Sequence, residues 1–140
     1  LGHGNSLLDC LAWVGIGQAA LVIIALLYQW VTPYDDLAEV RDGNVAAGLP
    51  LAGILLAVGI TVEAGLHGQF ESFSADLQAV ALYLGVSVVL LWLVRSLTDL
   101  LLMPGTKLAK EIATDRNVGA GAIEATSFVI GAELLAYFLN

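Results

Sequence analysis

The chain has 140 residues, 59% hydrophobic and 13% charged, with a mean hydropathy of +0.86. An average soluble domain is about 25% charged, and a domain this small keeps much of its surface in water, so an ordinary soluble fold is excluded and lipid must solvate much of the chain. A net charge of −8 and a pI near 4.3 exclude nucleic acid as a partner, because its binders present basic patches.

The first apolar stretch runs over about 7–32. It contains Cys10, the single cysteine, so no internal disulfide is possible. The residues LLDC (7–10) have only a loose likeness to a lipoprotein signal. Asp9 stands where a small residue is needed and no basic segment precedes it, so neither lipidation nor a cleavable signal peptide is expected. The chain does not open on Met, which predicts a processed or incomplete start. A connection over 33–43 follows, with Pro33 and the charged residues Asp35, Asp36, Glu39, Arg41 and Asp42. The second stretch, 44–66, carries Pro50, which predicts a kink.

The next connection holds Gly68, Glu71 and Asp76, and the third stretch covers 78–103. Pro104-Gly105 is a helix stop. The connection 104–116 then predicts a short amphipathic helix on the membrane surface, with Leu108 and Ile112 one turn apart. The fourth stretch is 117–139. Each of the four exceeds the ~20 residues that a helix needs to cross a bilayer. None alternates in polarity as a barrel strand does, and none has the broad polar face of a soluble bundle helix.

Residues 42–48 read DGNVAAG and residues 115–121 read DRNVGAG. Between 42–53 and 115–126 the pairs Asp42/Asp115, Asn44/Asn117, Val45/Val118, Ala47/Ala120, Gly48/Gly121 and Ala52/Ala125 are identical. The expected fold is an all-α integral membrane protein, a single membrane domain over 1–140. Its four transmembrane helices form two tandem two-helix repeats, 1–66 and 78–140, related by a pseudo-twofold axis along the membrane normal. Asn44 and Asn117 are placed to cap the starts of the second and fourth spans, with Asp42 and Asp115 beside the positive ends of those helix dipoles. Gly48/Ala52 and Gly121/Ala125 are small-xxx-small pairs suited to close helix packing in lipid. The functional alternative is that the paired helix starts bind an anion or a lipid headgroup.

The residues Val31-Thr32-Pro33, Asn44-Val45-Ala46-Ala47-Gly48, Pro104-Gly105, Glu111-Ile112 and Asp115-Arg116-Asn117-Val118 together resemble the YjfL-like family. These are small bacterial inner-membrane proteins classed as a domain of unknown function. The resemblance covers nearly the whole chain and implies a multi-span membrane protein with two copies of one unit. It implies no activity and no catalytic residues.

The basic residues Arg41, Lys107, Lys110 and Arg116 lie in the first and third connections and Arg95 on the same side, so the positive-inside rule predicts that connections 33–43 and 104–116 are cytoplasmic and both termini outside. Ionisable residues at membrane depth are candidates for function. At ~1.5 Å per residue, Glu124 lies ~10 Å, Arg95 ~12 Å and Asp99 ~6 Å in from the cytoplasmic side. They form a candidate charge cluster, whose plainer reading is a structural ion pair between spans three and four. Glu63, near the surface and close to His67, and Glu133 are candidate outer carboxylates, Glu133 being a pocket-rim acid in the plainer reading. Gln18, Ser87, Thr126 and Ser127 lie between the layers as interhelical bonds or as a polar trace. Most aromatic residues, Tyr28 and Tyr34 included, fall near span ends where rings sit at headgroup level, whereas Trp92 lies within span three and reads as packing. His3 and His67 have no ligand-like spacing, so no metal and no cofactor are expected.

No nucleophile–base pair or phosphate loop is present, and an enzyme is not expected. Two functions fit. One is an oligomeric structural or accessory membrane subunit, a homo-oligomer or part of a larger complex in the lipid bilayer, packed through small-residue helix faces. The other is a cation or proton pathway in a homo-oligomer, using the intramembrane carboxylates.

Overall fold

The computed structural model describes residues 6–66 and 72–139. The described residues form helices and turns without a strand: α1 (Ser6–Val31), α2 (Asp36–Arg41), α3 (Val45–Leu66), α4 (Phe73–Leu102), α5 (Leu108–Ala113) and α6 (Val118–Leu139). Four of them, α1, α3, α4 and α6, are long and apolar enough to cross a membrane. Even the two of 22 residues reach the ~30 Å of a hydrocarbon core at ~1.5 Å per residue.

Local chemistry sets the ends. α1 stops at Val31 because Thr32 precedes Pro33 and is steered away from helical backbone. α4 begins at Phe73, ahead of the expected 78, because the Ser72 hydroxyl accepts from the Ala75 N–H at 3.2 Å. α2 was not expected at all. It starts on Asp35, whose side chain accepts from the Ala38 N–H at 3.0 Å. α5 lies where a short amphipathic helix was expected, and its apolar face is turned into the bundle: Leu108 and Ile112 are buried against Ala46, Ala47 and Ala120 at the starts of α3 and α6, while Lys110 is exposed.

The repeated phrase is a turn with one unusual residue. Gly43 (φ 75°) and Arg116 (φ 50°), its aligned counterpart, both take left-handed backbone. Glycine does so without a Cβ clash, whereas another L-residue pays ~1–2 kcal/mol. Arg116→Gly is therefore expected to stabilise the protein by up to about 1 kcal/mol once the extra chain entropy of glycine is set against that relief. A thermal melt in detergent checks it, and no rise in midpoint would refute the strain.

The two asparagines of the phrase both accept from the backbone N–H three residues on, Asn44 from Ala47 at 3.4 Å and Asn117 from Ala120 at 3.3 Å. Their amides differ. Asn44 is buried and donates to Glu39 at 2.7 Å and to the Ile112 carbonyl of α5 at 3.0 Å, so it fastens α5 onto α3. Asn117 is exposed and donates to Glu111 at 3.0 Å. Asn44→Ala should therefore cost about 2 kcal/mol and Asn117→Ala about 1 kcal/mol or less. Equal losses in equilibrium unfolding would refute the cross-link.

α3 and α6 form the centre and run parallel, since Ala46 meets Gly121 and, further along both helices, Gly53 meets Ala125. α3 is unbroken through Pro50. Pro50 has no N–H to give to the Ala46 carbonyl, and Gly121 packs against that same oxygen: a Cβ built on Gly121 would sit 2.2 Å from it. The expected pairs are thus only half used. Gly121 and Ala125 meet α3, but a Cβ built on Gly48 would meet only Val40 of α2 within 4 Å and Ala52 is exposed. The small residues of α3 that meet α6 are Ala46 and Gly53, seven apart and so on one face.

α4 closes on this pair through Gly65 of α3, where an added Cβ would lie 2.9 Å from the Val80 backbone. The hydroxyls of Thr61 and Ser87 meet at 3.2 Å across the same interface. α1 is the least enclosed span. It leans on α3 through Ala20, Ile24 and Tyr28, which join Ile54, Val58, Phe128 and Ala132 in the main core.

Candidate functional site

The polar centre lies at the end of the bundle that carries α2 and α5. Tyr28 from α1, Arg95 from α4 and Glu124 from α6 converge on one carboxylate oxygen. Arg95 donates through one Nη1 to Glu124 Oε1, in an ion pair, and to the Tyr28 hydroxyl at 2.8 Å. The Tyr28 hydroxyl donates to the same Oε1 at 3.1 Å. The guanidinium also stands 5.4 Å from the centre of the Tyr28 ring, within cation–π range, and that ring meets Phe128 edge-on at 5.8 Å. Glu124 is 0% exposed and Tyr28 5%. A carboxylate is held there because three elements supply a cation, a hydroxyl and an aromatic wall in place of water.

Below this trio is a second polar group from the α1–α2 connection. Thr32 and Asp36 are buried, and the Thr32 hydroxyl touches Asp36 Oδ2. Burial pushes the Asp36 carboxyl up to about 6 and the nearby Asp35 adds to this, while Thr32 and Arg95 pull it down. Burial likewise raises the Tyr34 hydroxyl, with Glu124 and Asp36 raising it further against the pull of Arg95. Among the described residues, three buried oxygens here have no hydrogen-bond partner: Tyr34 Oη, Asp36 Oδ1 and Glu124 Oε2.

The expected residues are only partly brought together. Arg95 and Glu124 pair, but Asp99 does not join them; its Oδ1 accepts from the Leu108 N–H at 2.7 Å and so holds the start of α5, where Lys107 at the N-cap position makes no side-chain cap. Glu63 and Glu133 are both exposed, on α3 and α6. Asp42 is exposed at the end of α2, and Asp115 is exposed and pairs with Lys110 at 2.7 Å. Of the mid-depth groups, Ser87 reaches across to Thr61, but Thr126 and Ser127 bond back to their own helix at Ala122 and Ile123, and Gln18 is exposed. Tyr28 is a correction: a ring expected at headgroup level is buried in the ion pair. Trp92 is another, since it is 54% exposed instead of packed. His3, His67 and Phe70 lie outside the described residues. Among the described residues no three of His, Cys, Asp and Glu are gathered to hold a metal ion.

Between α1 and α4 the bundle is open. An apolar cleft of about 240 Å³ is lined by Leu27 and Val31 of α1 and Val89 and Trp92 of α4, floored by Ile54 and Phe128, and ends at Tyr28 and Arg95.

Four helices long and apolar enough to cross a membrane, with a buried charge layer at one end of the bundle, are those of a multi-pass membrane protein. The chain belongs to the family described as Domain of Unknown Function (DUF350), which it matches over residues 3–139. It is similar to a UPF0719 transmembrane protein of Aquifex aeolicus (strain VF5), with 28% identity over 128 residues, covering 91% of this chain and 47% of that protein. The chain therefore spans about half the length of that relative. No solved structure matches.

Proposed function

We propose that this protein is a non-enzymatic structural or accessory membrane subunit that assembles with further copies of itself or with other membrane helices. The observation that carries the reading is the outer face of α1. Gly15 and Ala19 are exposed one turn apart, and nothing lies within 4 Å of a Cβ built on Gly15. Ala46 and Gly53 of α3 and Gly121 and Ala125 of α6 are used within the chain, so a further helix has the small-residue face of α1 and the apolar face of α4 to meet. Such faces let helices approach closely in lipid. In this reading the chain is of the YjfL-like kind, lies in a bacterial inner membrane, and has its termini outside and the α2 and α5 connections in the cytoplasm. Two tandem repeats related by a pseudo-twofold axis are supported by the order long helix, short helix, long helix occurring twice and by the matching left-handed residues at 43 and 116.

The test is disulfide cross-linking in membranes. Leu11→Cys in a Cys10→Ser background, one turn before Gly15, is expected to give linked dimers, and adding Gly15→Leu should abolish them. A protein that stays monomeric by light scattering, links to nothing and copurifies with no other membrane protein would overturn the reading.

A cation or proton pathway in a homo-oligomer is the second reading. Its support is the buried Glu124 with one oxygen unpartnered; against it, Thr126 and Ser127 turn back on their own helix. Ion flux in liposomes, with and without Glu133→Gln, tests it.

A further inference from the structure

Asp36 does something that neither the ion pair nor the assembly reading uses. Its side chain is buried, the residue being 1% exposed, and among the described residues the two ion pairs, Arg95 with Glu124 and Lys110 with Asp115, do not include it. Arg95 is already matched in charge by Glu124, so an ionised Asp36 would be an excess negative charge away from water. The hydrogen bonds around Thr32 point the same way. Its hydroxyl has one hydrogen, yet the carbonyls of Tyr28 (3.2 Å), Gln29 (3.3 Å) and Tyr34 (3.2 Å) and Asp36 Oδ2 all surround it. The Tyr28 carbonyl already accepts the Thr32 N–H at 3.0 Å, but the other three acceptors face one hydroxyl hydrogen, a shortage that a proton on Asp36 relieves: the acid donates to a lone pair of Thr32, and Thr32 donates to a carbonyl.

We propose that Asp36 is a proton-binding site at the end of the bundle, holding a proton in mildly acidic surroundings and releasing it toward neutral pH. Release places a second carboxylate in the field of Arg95, where it competes with Glu124 and loads the joint between α1, α4 and α6. The charged and titratable groups around Asp36 are Arg95 of α4, Glu124 of α6, Tyr28 of α1, and Asp35 and Tyr34 of the connection. α3, which packs on α2, carries only Glu63, at its far end. A proton fits better than a metal ion, since among the described residues the acids are not gathered to ligate one.

The sign follows from burial. The folded protein holds this proton up to about pH 6, against an ordinary value of 3.8. Between those values the folded state binds more protons than the unfolded one, so stability falls as pH rises through the window and levels off above it. The midpoint of thermal unfolding in detergent should therefore fall from pH 4 to pH 6.5, and Asp36→Asn should remove much of that fall. The direct reading is infrared spectroscopy of protein labelled with ¹³C at the aspartate carboxyl. A protonated-carboxyl band shifted by the label should fade with a midpoint near pH 6, be missing in Asp36→Asn and fade at lower pH in Glu124→Gln, where Arg95 is left to pull on Asp36 alone. If Asp36→Asn does not fold, the labelled wild type still decides. No label-shifted carboxyl band at pH 5 overturns the proposal, and so does one that survives Asp36→Asn.

Discussion

Arg95→Leu and Glu124→Gln, made singly, are each expected to destabilise the protein by about 3–5 kcal/mol, the cost of breaking a buried pair and leaving the other charge behind. Arg95→Leu strands a carboxylate that is 0% exposed and has one oxygen already without a partner. Glu124→Gln strands a guanidinium whose remaining neighbour on that nitrogen is the Tyr28 hydroxyl. The double variant Arg95→Leu, Glu124→Leu removes both charges and should recover most of the loss, because apolar residues of similar volume often replace a buried pair without cost. Unfolding in mixed micelles, run as a double-mutant cycle, measures this. Single variants within about 0.5 kcal/mol of wild type, or a double variant as poor as the sum, would show that the pair does not hold α1, α4 and α6 together.

The second large effect belongs to Gly121. An alanine Cβ there would stand 2.2 Å from the Ala46 carbonyl oxygen and 3.1 Å from its Cα. The obstacle is backbone, so no rotamer change relieves it, and α3 and α6 must move apart. Overpacking of this kind costs about 1–3 kcal/mol, occasionally more, and Gly121→Ala is expected at the top of that range. Gly59→Ala is the control. It lies on the exposed face of α3 with nothing within 4 Å of the new Cβ, so helix propensity alone should stabilise by up to about 1 kcal/mol. Equal behaviour of the two variants in the same unfolding assay would remove close α3–α6 packing as the organising contact.

These expectations separate what could be read in the chain from what could not. Hydropathy adds up along a helix, so the four spans were legible from composition and length alone. Their ends were legible where a residue acts on its own backbone, as at Thr32-Pro33. The Ser72 cap was missed because an apolar stretch of 78–103 already looked complete. α2 was missed because six residues within a charged connection carry too short a period to stand out.

The site was legible as a list of ionisable residues at membrane depth, which is how Arg95 and Glu124 were found. Asp99 was assigned to the same cluster because it lies one turn from Arg95 on α4. Only the placing of α5 shows that its carboxylate serves the Leu108 N–H. Tyr28 and Asp36 were passed over for the opposite reason: each sits near a span end, where a ring or an acid is ordinarily solvated.

The sequence by itself determined that this is a helical membrane protein, where its spans run, and that acids and one arginine lie within them, since these depend on local composition and on residues next to each other. Only the tertiary structure decided which faces turn inward. Helices that are apolar on all sides carry no stripe to mark the core, so the choice of Ala46 and Gly53 over Gly48 and Ala52 on α3, and the burial of Tyr28 and Asp36, depend on which helix stands opposite.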